Sequence, residues 1–511
     1  MTLEAPAEAL GHAPKTATSR PRSASVRIVR NVMVLGVGQA AAWISATGLA
    51  VLLPRSLGAS NLGRFTLAFS FVEVFSLIAS FGVGSYLTKE VARHGGSDRS
   101  LVLNALLLRM PLALLAALLA ASVATLLRFD APTRNLVYLF SINLVLFAFG
   151  GVFASALSGL QELSWLTGVT ALSRFVLLVL VVLVLALGLG ATGVALAWTL
   201  TTGFTACASG LLARRFRLLA GTVRMETWVP MLRGGLPYLV WETSLLLYGR
   251  ADILLLSLFT SVQVLGWYGA AYRIILIPAV IPGIIVAAIF PALSAARGDK
   301  AAFNAVARHS INVVNLLLIP CCVGIFVLAH DIVNVMGYPD SFSRTVTLMM
   351  ILAIHVPLVG IDMVLGICII AMDRQRLWAF TGVAAVTLNI GLNLLAIPLT
   401  QSMYGNGAIG ASVVTCTTEL FMMVVGIILL RRDTFEPNNL AVAIKCIGAS
   451  LLMAAVVLIA RGVVPFFGLI ALGALVYASA SMLLGAFDAK DLRQCWALAL
   501  NRVREPQAGA V

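Results

Sequence analysis

The sequence predicts an all-α polytopic membrane protein of about fourteen transmembrane helices, arranged as two pseudo-symmetric six-helix lobes plus a terminal helix pair. Three observations carry this expectation. Hydrophobic residues make up 60% of the 511 residues and charged residues only 11%, far more apolar sequence than a water-soluble domain can use. Apolar stretches of the ~20 residues needed to cross about 30 Å of hydrocarbon recur along the chain. The chain also repeats itself: Leu62, Gly63, Phe65, Ala68 and Phe69 open an apolar helix, and 203 positions later Leu265, Gly266, Tyr268, Ala271 and Tyr272 do the same. At that offset Arg30 falls on Arg233 and Gln39 on Glu242, and at an offset of 217 Gly190 to Gly193 before one helix returns as Gly407 to Gly410 before another. Parallel internal repeats of this kind predict a two-lobed membrane protein.

In chain order, the spans are expected near 29–53, 63–87, 101–126, 135–159, 166–189, 191–214 and 236–260, then 266–294, 309–330, 343–371, 376–398, 406–430, 440–461 and 464–484. Residues 1–25, rich in Ala, Pro, Ser and Thr, read as a disordered cytoplasmic tail. The N-lobe covers 26–218, the C-lobe 228–432 and the terminal pair 440–485, with 486–511 a second cytoplasmic tail. Arg214, Arg215 and Arg217 close the first lobe, and Arg431 and Arg432 close the second. Pro111, Pro278, Pro282, Pro320 and Pro357 interrupt apolar helices, and Pro278 with Pro282 is the pair best placed to hinge.

The formal net charge of +14 is spread rather than gathered in a patch, and most Lys and Arg fall in the tails and the even-numbered loops. By the positive-inside rule both termini are cytoplasmic and the protein lies in the inner or plasma membrane. The charge therefore orients the chain and calls for no nucleic-acid partner; membrane lipids are its surroundings. The seven cysteines show no CxxC and sit mostly inside spans, which suits packing rather than disulfides or metal. There is no GxSxG, HExxH or Walker-type loop, and the short loops leave no room for an extramembrane catalytic domain. An enzyme and an ATP-driven pump are both disfavoured, and neither a cofactor nor a metal is expected.

Ionisable side chains within spans are costly and need an explanation. The acids are Glu73, Glu242, Asp252, Asp362 and Glu419; the bases are Arg109, Arg174, Arg250 and Arg273, with His355 in addition. On a wheel of 100° per residue, Tyr238, Trp241, Glu242, Tyr248 and Asp252 fall within about 120° of one another, with Arg250 beside them. That face suits a cavity in which rings stack on sugars and the guanidinium takes phosphate bidentately. It suits an ion-pair network between helices equally. Arg109, Arg174 and Arg273 either add positive charge to such a cavity or snorkel to headgroups. His355 and Asp362, seven residues apart, share a helix face, as a proton relay or as a satisfied couple. Glu73 and Glu419 stand alone, and burial favours their neutral form, so each is either a coupling group for H⁺ or a structural acid. Trp43, four residues after Gln39, adds a further ring.

The run from Arg30-Asn31 through Leu57-Gly58, Leu62-Gly63-Arg64-Phe65, the Phe81-Gly82 break and Lys89-Glu90-Val91-Ala92-Arg93 resembles the oligosaccharide flippases of the polysaccharide biosynthesis family. These belong to a superfamily that includes multidrug extruders and lipid II flippases. The resemblance implies a V-shaped pair of lobes that alternate between inward-open and outward-open states. It implies a polyprenyl-pyrophosphate-linked oligosaccharide as cargo, coupling to H⁺ or Na⁺ or to the membrane potential, and a monomer working beside polysaccharide polymerase machinery. A cation-coupled multidrug exporter is the alternative that five membrane acids suggest, and a membrane glycosyl-transferring enzyme a more distant one.

Overall fold

The structure is a computed structural model that describes residues 22–94, 98, 100–430 and 437–486. The expected tails, Arg431, Arg432 and Cys495 lie outside the described residues, as does the side chain of Gln39. The described chain is helical nearly throughout. The first half comprises α1 (Arg22–Ser80), α2 (Val83–His94), α3 (Ser100–Leu126), α4 (Ala131–Gly159), α5 (Leu163–Ala186) and α6 (Gly190–Arg215). The second comprises α7 (Trp228–Phe259), α8 (Val262–Ile275), α9 (Val280–Ala295), α10 (Lys300–Val335), α11 (Thr345–Ala353), α12 (His355–Ala371), α13 (Gln375–Tyr404) and α14 (Ala408–Leu429). The terminal pair, α15 (Pro437–Ala460) and α16 (Phe466–Leu483), packs on α10.

Eleven helices are long and apolar enough to cross a membrane, or twelve if the bent pair α8 and α9 forms one span. The expected fourteen exceeds this in two places. The 59-residue α1 holds two predicted spans, separated where Gly58 takes φ 71° and ψ 168°, a left-handed conformation open to glycine at little cost. The other is α7, where Glu242, Arg250 and Asp252 break the apolar run. Pro278 falls in the gap between α8 and α9, which meet at a 42° bend, and Pro282 lies in the first turn of α9. Pro111 and Pro320 are carried inside α3 and α10.

The second part of α1 runs through the first bundle, against α3, α4, α5 and α6. There Phe65 and Phe69 meet Phe140 and Trp198 edge-on, with ring centroids 5.3–5.9 Å apart. The two halves touch mainly through α1 and α8, at the repeated segment itself. A Cβ on Gly63 would overlap the Val262 carbonyl, and one on Gly266 would overlap the Ala59 carbonyl. An offset of 203 carries 59 onto 262 and 63 onto 266, so the repeat packs on its own copy about a local two-fold axis. Small residues are what allow two backbones to approach this closely.

A second close crossing joins the halves 19 residues further along, about 28 Å away at 1.5 Å per residue. Gly82 (φ 67°) lies against Gly235, whose Cβ would stand 2.6 Å from the Phe81 carbonyl oxygen. Phe81 also has positive φ, 45°, so the Phe81-Gly82 break is a left-handed joint between α1 and α2. The halves are thus in contact at both ends of the path between them.

Candidate functional site

Helix α7 supplies the charged residues between these two crossings, and each reaches a different helix. Glu242 lies beside the α1–α2 joint, where it accepts hydrogen bonds from the hydroxyls of Ser80 (2.6 Å) and Ser85 (3.3 Å), one on each side of the break. Arg109, on α3 and only 3% exposed, donates from Nε to the Ala79 carbonyl at 3.2 Å. That carbonyl is one of those the break leaves without a helical partner. Glu242 and Arg109 together brace the joint.

Two turns along α7, Arg250 Nε donates to Glu73 Oε2 at 2.5 Å, across the boundary between the halves. Its guanidinium lies 5.5 Å from the centroid of the Phe69 ring. Glu73 sits roughly midway along α1 between Gly63 and Gly82. Both side chains are about 30% exposed, so the pair borders open space rather than packed core. Arg273 on α8 is close enough to Arg250 for the two charges to repel, with the Tyr338 hydroxyl as its other polar neighbour.

The opposite side of α7 faces its own half. Asp252, 9% exposed, accepts from Tyr268 (2.9 Å), Thr415 (2.8 Å) and Asn393 (2.8 Å), and Asn393 is held in turn by Asn389 (3.0 Å). Tyr248 donates its hydroxyl hydrogen to Glu419 Oε1 on α14. His355 Nδ1, on α12, is 3.7 Å from the same oxygen. Asp362 lies against the Glu419 carboxyl. Among the described residues no group of three or more His, Cys, Asp and Glu could hold a metal ion.

Sequence reasoning singled out most of these groups but could not sort them. The structure pairs Arg250 with Glu73 at the boundary of the halves, with Arg273 within electrostatic range of Arg250, and places Arg109 and Glu242 at the joint. Arg174 is exposed on α5, Trp43 and Trp241 are exposed, and Tyr238 is half-buried. The uncharged partners were missed: Ser80, Ser85, Asn389, Asn393 and Thr415. Two asparagines four residues apart inside an apolar span were a usable signal, since polar side chains there find partners on other helices. Asn104 was missed as well. It is fully buried, donates to the Ser100 and Thr222 carbonyls, and accepts from the Arg224 backbone N–H and the Trp228 indole.

Residues 28–297, more than half of the chain, match the family described as polysaccharide biosynthesis protein. The chain belongs to this family. Two curated relatives come from Haloferax volcanii. The probable low-salt glycan biosynthesis flippase Agl15 is 26% identical over 33% of this chain and 34% of its own length. The probable flippase AglR is 27% identical over 40% and 42%. The alignments thus span only about a third to two fifths of the length of these relatives. Among solved structures, lipid II flippase MurJ in an inward closed conformation is similar with a TM-score of 0.71 at 15% identity, covering 88% of this chain and 98% of that one. An inward-facing multidrug resistance MATE transporter of the MOP superfamily follows with 0.60 at 15% identity, covering 79% and 98%. At such identities the likeness shows the fold alone: this family member shares the fold of these two proteins.

Proposed function

We propose that the protein is a flippase for lipid-linked oligosaccharide. In this reading it moves a polyprenyl-pyrophosphate-linked oligosaccharide from the inner to the outer leaflet of the cell membrane by alternating access, during surface polysaccharide assembly. The family, the flippase names of its relatives and the fold support the class. The observation that carries the mechanism is the Arg250–Glu73 pair at the boundary of the two halves, with Arg273 beside it. Two guanidiniums near one another inside a membrane bundle are stable only with counter-charge. One carboxylate supplies part of it here, and a pyrophosphate, with its bidentate acceptors, would supply more.

Glu73 thus holds the place of the anion while the halves are closed. An arriving head group would take Arg250 from it, exchanging one charge-assisted bond for another, so release costs less than breaking a pair outright. With both termini cytoplasmic, an inside-negative potential favours outward movement of the anion by about 2.3 kcal/mol per charge per 100 mV. Coupling to H⁺ or Na⁺ through the buried acids of the second half would add to this.

The test is reconstitution in liposomes carrying a fluorescent lipid-linked oligosaccharide, with the rate of its appearance on the other leaflet compared between wild type and Arg250→Ala. Fast translocation that fails in the variant supports the reading and places the arginine in the path. Translocation unchanged in the variant keeps the flippase and reduces Arg250 to structure. A wild type that moves no lipid under any imposed gradient overturns the flippase in favour of drug export.

A further inference from the structure

Among the described residues Asp362 and Glu419 are the two most buried carboxyl groups. Asp362 is 5% exposed and Glu419 2%. Neither Asp362 oxygen has a donor within reach, and the group lying against it is the other carboxyl. Glu419, in contrast, is supplied: Tyr248 donates to its Oε1, and His355 Nδ1, otherwise without a partner, stands 3.7 Å from that oxygen. Two carboxylates in contact away from water cannot both be ionised, and the proton one of them keeps forms the bond between them.

We propose that Asp362 and Glu419 form the proton-binding site of this transporter, one proton being shared between the two carboxyl groups. The donors decide where it rests. Glu419, accepting from Tyr248, is the ionised member, and Asp362, with no donor, is the acid that donates to it. The site accordingly carries a single negative charge beside the His355 imidazole.

The surroundings admit few competitors. From α7 the titratable groups nearby are Tyr248, Arg250 and Asp252, of which Arg250 is bonded to Glu73 and Asp252 to Tyr268, Thr415 and Asn393. From α8 comes Tyr272, whose ring lies 6.3 Å from that of His355. Helix α10 offers Cys322 and α14 Cys416, whose thiol bonds the Ile351 carbonyl. Helices α9 and α11 carry no titratable side chain, and those of α13 are at its ends. Among the described residues no Lys or Arg is bonded to either acid. A metal cation would require Tyr248 to turn its donated hydrogen away, whereas a proton fits the donors as they stand.

That the proton is coupled to transport rests on the flippase reading; that it is bound does not, and the two are tested apart. Full-length protein in liposomes is stepped in pH under infrared difference spectroscopy. A protonated-carboxyl carbonyl band, shifted in deuterium oxide, is expected in wild type and converts to carboxylate as pH rises. Because Asp362 is the acid, Asp362→Asn should abolish the band, Glu419→Gln should shift it as the bond's acceptor becomes an amide oxygen, and Asp362→Glu should keep it.

No such band in wild type, a band that survives in Asp362→Asn, or a band unmoved in Glu419→Gln overturns the site. If the amide variants fail to fold, wild type and Asp362→Glu decide: a band absent from wild type overturns the site, and one shared by both supports it. A band displaced by Na⁺ at constant pH overturns the choice of ion. A band present in wild type, with oligosaccharide translocation equally fast with and without a pH gradient, removes the coupling and leaves both site and flippase. A band present with no translocation under any gradient removes the flippase reading alone.

Discussion

Replacing Gly266 by Ala should open the end of the molecule where α1 meets α8. The new methyl group would overlap the Ala59 carbonyl, and because the obstructing atoms are backbone, no rotamer change can make room. Carbon and oxygen settle at about 3.5 Å, so the two helices must part by more than an ångström, which forfeits about half or more of the dispersion energy at the crossing. Overpacking of this kind costs about 1–3 kcal/mol. Applied to the closed arrangement alone, that is a shift of about 5- to 150-fold toward separation. Spin labels at Ser56 and Ser261, both exposed near that end, would report it by pulsed dipolar spectroscopy in a background free of the seven native cysteines. Wild type should show one short distance and Gly266→Ala an additional longer one. Gly63→Ala should do the same, since the contact is reciprocal, and Gly391→Ala, which faces open space, should do nothing. A Gly266→Ala distribution indistinguishable from that of Gly391→Ala would refute the reasoning.

Three further outcomes follow from named contacts. Asn104→Ala leaves the Thr222 carbonyl, the Arg224 N–H and the Trp228 indole without their partner; at about 1–3 kcal/mol for a buried group left unsatisfied, thermal unfolding in detergent should show one of the larger losses of any single polar substitution. Glu242→Ala should loosen the α1–α2 joint and speed hydrogen exchange at residues 80–85, whereas Glu242→Gln, which keeps an acceptor for Ser80 and Ser85, should largely preserve protection there. Asp299→Ala removes the acceptor for the Ala301 and Ala302 N–H groups at the start of α10 and should cost about 1 kcal/mol in the same unfolding assay, the usual value of an N-cap.

The all-α membrane class and the repeat were legible because they depend on apolar length and on glycine spacing, both local properties of the chain; the expected fourteen spans compare with eleven or twelve helices long and apolar enough to cross among the described residues. The self-complementarity of the repeat was half legible. The sequence showed that Gly63 and Gly266 occupy equivalent positions, but that each copy packs on the other is a property of the assembled pair. The charged residues were legible as an inventory only. A helical wheel put Glu242, Tyr248 and Asp252 on one face, yet they serve three networks, because the helices that meet α7 change along its length. A wheel assumes one neighbour per face, and α7 has α1, α2, α13, α14 and α8 around it. Arg109 could not be told from a snorkelling arginine until the joint it caps was visible.

The distribution of these networks bears on how movement is transmitted. Glu242 and Arg250 bind the first half, through Ser80, Ser85 and Glu73, while Tyr248 and Asp252 bind the second, through Glu419, Tyr268, Thr415 and Asn393. Any separation of the halves must break contacts of the first kind and can leave the second intact. The repeat is asymmetric at this point: Phe65 and Phe69 of the first copy, packed among rings, are answered by Tyr268 and Tyr272, whose hydroxyls stand where the second half keeps its acids. A 203-residue shift of Asp252 falls on Leu49, and one of Arg250 on Thr47, so the symmetry of the backbone is not a symmetry of charge. Tyr248 and Arg250, two residues apart on one helix, therefore join the cluster proposed to hold a proton, which stays within one half, to an arginine whose partner belongs to the other. A rotation of α7 that draws Arg250 away from Glu73 also moves the Tyr248 hydroxyl at Glu419, and loss of that donor returns the shared proton's position to a contest between two equivalent carboxyls.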